Sequence, residues 1–215
     1  IVEMPHVDID ALKNEDLYTD TVKGIPYRFG YNHEVSYNLN NCGEWIEIDG
    51  LGRIWRLGIS SADAQSINLT FDNYYLPEGA QLFIYSIDKS IVLGSFSAAN
   101  NKDHRYFSTT LIPTDQIIIE YFEPHNVDFQ GELSLMWVTH GYRGPFDFHK
   151  AFGTSGACNK NVACPEAAGW DDQINSVAMM VTGGNGFCTG TLINNTANDG
   201  RQYFLTADHC YSDPG

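Results

Sequence analysis

Between residues 42 and 143, short apolar runs recur between turn signals. They are Glu44-Trp-Ile-Glu-Ile48, Arg53-Ile-Trp-Arg-Leu-Gly-Ile59, Ser66-Ile-Asn-Leu-Thr-Phe71, Gln81-Leu-Phe-Ile-Tyr85, Ile91-Val-Leu93, Tyr106-Phe-Ser-Thr-Thr-Leu111, Gln116-Ile-Ile-Ile-Glu-Tyr-Phe122 and Leu133-Ser-Leu-Met-Trp-Val138. β-Branched and aromatic residues of this kind fit a pleated, half-buried chain. Within 53–59, Trp55, Leu57 and Ile59 fall on one side and Ile54, Arg56 and Gly58 on the other, the period of two expected of a strand with one face in a core. Asp49-Gly-Leu-Gly52 is a hairpin-turn candidate, and Leu76-Pro-Glu-Gly79 is a turn with Pro at its favoured second position. About eight strands at roughly 8–12-residue spacing predict a β-sandwich. No helical pattern separates them, which argues against a parallel α/β sheet.

The flanking regions read differently. Residues 1–41 are polar and broken by Pro5, Gly24 and Pro26, with one short helix expected over Asp8–Leu17. Residues 144–157 are Gly-rich and carry few strand signals, so they read as a linker and processing region. Residues 158–215 begin a second β domain, with strands expected near 174–182, 187–194 and 202–207. The expected organisation is therefore an all-β chain: a sandwich domain over 1–143, a linker over 144–157, and an incomplete second domain over 158–215.

Charge narrows the partners. The net charge of −15 is spread along all 215 residues, with −11 in residues 1–150 and −4 in the remainder. Phosphate recognition needs clustered Lys and Arg, so nucleic acid and anionic membrane are excluded as expected partners. No apolar run approaches the roughly 18–20 residues of a membrane span, so no membrane insertion is expected. Ile1-Val-Glu-Met-Pro5 lacks the basic start and apolar centre of a signal peptide, which is expected to be absent from the given chain.

Four of the five cysteines lie at 158, 164, 188 and 210, and none has zinc-ligand spacing. Disulfides in an oxidising compartment fit that usage best, and Cys42 stands without an assigned partner. Asp171-Asp172 and the Asp8, Asp10, Glu15 and Asp16 group lack the Asp-x-Asp-x-Asp-Gly pattern of a calcium loop. They read as solvated acids, and neither a metal nor any other cofactor is expected. Trp45, Trp55, Tyr74, Tyr75 and Tyr85 read as packing residues rather than as a sugar-stacking face.

The chemistry is concentrated near the end. Cys188-Thr-Gly-Thr-Leu-Ile193 is followed by Phe204-Leu-Thr-Ala-Asp-His-Cys210. A Cys-x-Gly-x-Leu-Ile strand and then an apolar strand ending in Thr-Ala-x-His-Cys resembles the way trypsin-like serine proteases present their catalytic histidine. Such an enzyme needs a histidine beside the nucleophile, its ring oriented by a carboxylate. Asp208 stands where those enzymes commonly have Ala, and as the neighbour of His209 it does not fit the role of that carboxylate. Ser155, in Thr-Ser-Gly-Ala, lacks the Gly-Asp-Ser-Gly context of a nucleophile.

The resemblance widens through Gly153-Thr-Ser-Gly-Ala-Cys-Asn159, Val162-Ala-Cys-Pro-Glu166 and Asn194-Asn-Thr-Ala-Asn-Asp199. Over roughly residues 153–210 the chain resembles the mature N-terminus of bacterial lysyl endopeptidases, secreted trypsin-like serine proteases. The resemblance implies that His209 is the general base and that Cys188 pairs with Cys210. It implies that Cys158 and Cys164 pair with cysteines further along, and that the mature enzyme starts at Gly153. Residues 1–152 would then be a propeptide that assists folding or covers the active site through an intramolecular contact. Lys150 would be a processing site, although cleavage there falls two residues short of the mature start. The expected product is a secreted or extracytoplasmic bacterial endopeptidase acting on protein or peptide substrates after Lys or another basic residue. The 215 residues alone, without the triad Asp and Ser, are expected to be inactive. The alternatives are a non-catalytic β-sandwich binding or adhesion module with a degenerate protease-like tail, and a catalytically dead pseudoprotease.

Overall fold

A computed structural model of the chain describes residues 1–22, 25–144, 160, 162 and 164–210, without the side chains of Phe187 and His209. Lys150, Gly153, Ser155 and Cys158, and nearly all of the expected linker, lie outside the described residues. In chain order the regular elements begin with β1 (Val2–Glu3), α1 (Ile9–Thr19), β2 (Tyr27–Arg28), β3 (Gly30–Asn38), β4 (Glu44–Ile48) and β5 (Gly52–Ser60). There follow β6 (Ser66–Tyr75), β7 (Gln81–Ser86), β8 (Val92–Phe96), β9 (Phe107–Ser108), β10 (Gln116–Pro124) and β11 (Glu132–Gly141). The last are α2 (Asp171–Ser176), β12 (Val177–Thr182), β13 (Asn185–Ile193) and β14 (Tyr203–Thr206). The class is all-β. The elements fall into two compact units, residues 1–10 with 30–144, and residues 11–29 with 145–215.

The first unit is sandwich-like. One sheet has the order β1-β5-β10-β7-β8, with β4 also on β5, and the other has the order β3-β11-β6-β9. β10 alternates strictly, burying Ile117, Ile119 and Tyr121 and turning Ile118 and Glu120 outward. Its register sets Ile119 between Leu57 and Ile84. The expected inward face of β5, Trp55, Leu57 and Ile59, is buried. Ile67, Leu69, Phe71, Leu133, Leu135 and Val138 of the second sheet join the same core. Each such side chain removed from water contributes about 1.5–3 kcal/mol, which fixes the register, because a one-residue slip would turn the whole row outward.

Two details depart from the pattern. The run Tyr106–Leu111 pairs only over Phe107–Ser108. Beyond it Thr109 Oγ1 accepts from the Leu69 amide at 3.0 Å, a side chain taking the place of a backbone carbonyl. The turn expected over Leu76–Gly79 falls one residue later, with the Ala80 amide donating to the Pro77 carbonyl at 3.2 Å, and β6 and β7 belong to different sheets, so the chain crosses there between layers instead of making a hairpin.

In the second unit, β12, β13 and β14 form an antiparallel sheet, and β2 joins it on β13. Thr182 pairs with Asn185 across Gly183-Gly184, both at positive φ. Two left-handed residues are what a two-residue hairpin turn requires, and glycine adopts them without steric cost. The strand expected from 174 starts only at Val177, because residues 171–176 form α2, whose first turn carries Asp171 and Asp172. Acidic side chains at that end complement the helix dipole. No closed barrel is present among the described residues.

Candidate active site

β13 and β14 pair antiparallel, with Gly190 opposite Thr206, Thr191 opposite Leu205, Leu192 opposite Phe204 and Ile193 opposite Tyr203. Their connection is tied locally. The Asn198 amide donates to Asn195 Oδ1 at 2.8 Å, and the Arg201 amide donates to Asp199 Oδ1 at 3.0 Å. Asn198 adopts φ 55, a left-handed conformation that asparagine tolerates. The hydroxyl of Thr206 donates to the carbonyl of Thr189 at 2.8 Å, fastening the end of β14 to β13.

The glycine of the Cys-x-Gly pattern has a steric reason. A Cβ on Gly190 would lie 2.3 Å from Cε1 of Phe204 and 2.7 Å from the carbonyl oxygen of Leu205. Only a residue without a side chain lets β14 approach so closely.

Beyond β14 the chain makes one 3₁₀ turn over Asp208–Cys210, with the Cys210 amide donating to the Ala207 carbonyl at 3.0 Å. Cys210 is disulfide-bonded to Cys188, their Cα atoms 6.0 Å apart. His209 is thus held between the end of one strand and a covalent tie to its neighbour. The backbone is therefore tied on both sides of position 209. Cys164 and Cys42 are unbonded. The Sγ of Cys42 lies 3.6 Å from the Asn38 carbonyl, and burial pushes its thiol pKa up, which leaves it a poor nucleophile.

The other sequence candidates are absorbed by structure. Trp55, Tyr74 and Tyr85 are buried. Trp45 is covered by the Arg53 guanidinium, 4.1 Å from the ring centroid, and Tyr75 stacks on Phe129 beneath Arg105. No open aromatic face remains among these five. Among the described residues no group of acids, histidines and cysteines is placed to hold a metal ion. One part of the solvated-acid expectation is corrected. Asp16 is 2% exposed, and Arg28 donates to its Oδ1 through Nε at 3.0 Å, while the guanidinium also reaches Glu15 at 3.0 Å. The pairing is invisible in sequence because it needs α1 and β2 to fold back on each other.

A Ser and His pair exists in the sandwich, where Ser61 Oγ and His140 Nδ1 are 2.8 Å apart. Both residues are buried, at 0% and 1% exposure, so no peptide can reach the hydroxyl. The pair is part of the core.

Residues 152–215 match the family described as lysyl endopeptidase, C-terminal domain. Over 189 residues, 79% of this chain, the sequence is 30% identical to a lysyl endopeptidase of Pseudomonas aeruginosa. Residues 152–215 of this chain belong to the lysyl endopeptidase family. The similarity to the Pseudomonas enzyme extends well beyond the protease motifs into the sandwich, since the matched C-terminal domain supplies only the last residues of the chain. The chain spans 40% of the length of that relative. Among solved structures, a family 35 carbohydrate binding module from an environmental isolate aligns at 15% identity with a TM-score of 0.26, over 52% of this chain and 85% of that one. No helix of the described residues is long and apolar enough to cross a membrane.

Proposed function

We propose that this chain is the N-terminal part of the precursor of a secreted serine endopeptidase, cleaving after Lys or another basic residue. In this reading residues 1–143 are a pro-domain that assists folding or covers the active site. Processing near Lys150 and Gly153 would separate it from the protease domain. His209 is the general base: it takes the proton of a serine hydroxyl as that oxygen attacks the scissile carbonyl, then returns it to the leaving amine. The orienting carboxylate and the nucleophilic serine would come from the part of the protein that follows Gly215, as would the cysteine partners of Cys158 and Cys164.

The observation that carries the reading is the Cys188–Cys210 tie around His209 at the mouth of the β13–β14 hairpin. A general base must return to the same position at every turnover, and a covalent staple beside it restricts the loop to that position. The same disulfide supports an extracytoplasmic location, because such bonds persist in oxidising compartments. The comparisons do not favour the binding-module alternative.

The test is His209→Ala in the full precursor, assayed on peptide amides with Lys at the cleaved position. Peptidase activity should fall by about 10⁴-fold or more, and N-terminal sequencing of the processed parent should begin at Gly153. Parental activity in the His209→Ala protein would overturn the assignment.

A further inference from the structure

The segment Ala11–Phe29 precedes most of the sandwich in sequence, yet it folds with the protease-family residues. Two independent features hold it there. The first is strand addition. Tyr27 pairs with Gly186 and Arg28 with Asn185, antiparallel, and the Phe29 amide donates to the Gly184 carbonyl at 2.7 Å. Gly186 and Asn185 are at the same time paired with Val181 and Thr182 of β12. β2 therefore lies on the opposite edge of β13, the edge that β14 occupies from Gly190 onward. Cys188, which ties down the His209 loop, stands between the two stretches.

The second feature is the brace behind the strand. Arg28 reaches back to α1, where its guanidinium meets Asp16, Glu15 and the carbonyl of Leu12, the last at 3.2 Å. The Asp16 carboxylate is buried, so removing Arg28 would take away a cation that offsets its charge. Phe29, next along the chain, is completely buried. Helix and strand are thereby locked to each other, and the strand is presented as a preformed edge. That is the economical way to add a strand, because the segment's ordering cost is already met by its own contacts.

Resting on the pro-domain reading above, we propose that Ala11–Phe29 is the docking element of the pro-domain: a helix-braced strand that completes the β13 edge beside the catalytic-histidine loop, with the Arg28–Asp16 pair as its lock. The sandwich is then joined to a segment that makes the specific contact. Strand addition uses backbone groups, whereas the lock depends on the side chains of Arg28 and Asp16.

Hydrogen exchange on the full precursor tests this. The Phe29 amide should exchange slowly in the parent, and about 100-fold faster in Arg28→Ala, the loss expected when a buried pair is broken. Ile59 and Ile84 in the sandwich should keep their parental rates, and Cys188–Cys210 should stay oxidised. The milder Arg28→Lys should fall between the two. Exchange at Phe29 in the parent as fast as in a free peptide of residues 11–29 would overturn the proposal, whatever the variants do. So would parental protection in Arg28→Ala. Peptidase activity, measured after cleavage at Gly153, reports separately on the protease reading: a processed protein without activity, from a precursor with a protected Phe29, would sink that reading and leave the docking contact standing.

Discussion

The ring of Phe204 occupies the space in which a side chain on Gly190 would stand, 2.3 Å from the position of its Cβ. The contact links the Cys-x-Gly strand to the strand that ends at the candidate catalytic histidine. Gly190→Ala should force the two apart. Overpacking of this kind costs about 1–3 kcal/mol, and here it would displace the backbone leading to Thr206, Ala207 and His209. Thermal unfolding of the full precursor should show a lowered midpoint, and the Cys188–Cys210 bond should reduce more readily. Phe204→Leu in the Gly190→Ala background should recover part of the loss. A parental midpoint for Gly190→Ala would mean that the close approach is not needed.

A buried carboxylate organises one end of the sandwich. Glu123 is 2% exposed and accepts from Arg53 Nε at 2.9 Å, Tyr121 Oη at 2.8 Å and the Gly131 amide at 2.6 Å. Glu123→Ala leaves a half-buried guanidinium, a buried phenol and an amide without their acceptor. The expected loss is about 1–3 kcal/mol, read as a shift of the urea midpoint of the sandwich. Glu123→Gln keeps the shape and one acceptor oxygen, so it should cost less. Equal midpoints for the Ala and Gln variants would show that the carboxylate network contributes little.

Acid should weaken the sandwich through two histidines. His33 and His140 are buried, with ring centroids 6.2 Å apart, and each has an Nε2 without a partner among the described residues. Tyr31 packs on His33, while Ser61 bonds His140. Burial lowers both pKa values. For His140 the neighbouring His33 and His6 lower it further, and Asp63 opposes them. The unfolded chain, with ordinary histidines, therefore takes up protons first as pH falls. Stability should be level above about pH 7, and should fall as pH drops below the ordinary value of 6.5 toward the lowered folded values. Urea midpoints at pH 7.5 and pH 5 measure this, and His140→Gln should remove roughly half of the difference. A midpoint that rises on acidification would contradict the sign.

Much of the all-β architecture was legible because its cause is local. Alternation in 53–59 and 116–122 can place a buried row on only one side of a strand, and Trp55, Leu57, Ile59, Ile117 and Ile119 are where that period puts them. The tie between Cys188 and Cys210 was legible for a related reason: with Gly190 it serves a close approach of two strands and a covalent bond that tolerate few other residues. The α2 helix was not legible, because Val177 onward has strand chemistry and six preceding residues carry too little period to separate helix from loop. Nor was the Arg28–Asp16 lock. An isolated arginine and a run of acids are compatible with solvent, and only the fold-back of α1 on β2 removes them from it.

By itself, then, the sequence determined most of the strands and their buried faces, and it offered the Cys188 and Cys210 tie that brackets position 209, since each depends on neighbours a few positions away. Only the tertiary structure decided which edge of β13 is filled, and by what. That choice belongs to a pairing between residues 27–28 and 185–186, and backbone hydrogen bonds across such a separation leave no periodic trace in the side chains that make it possible.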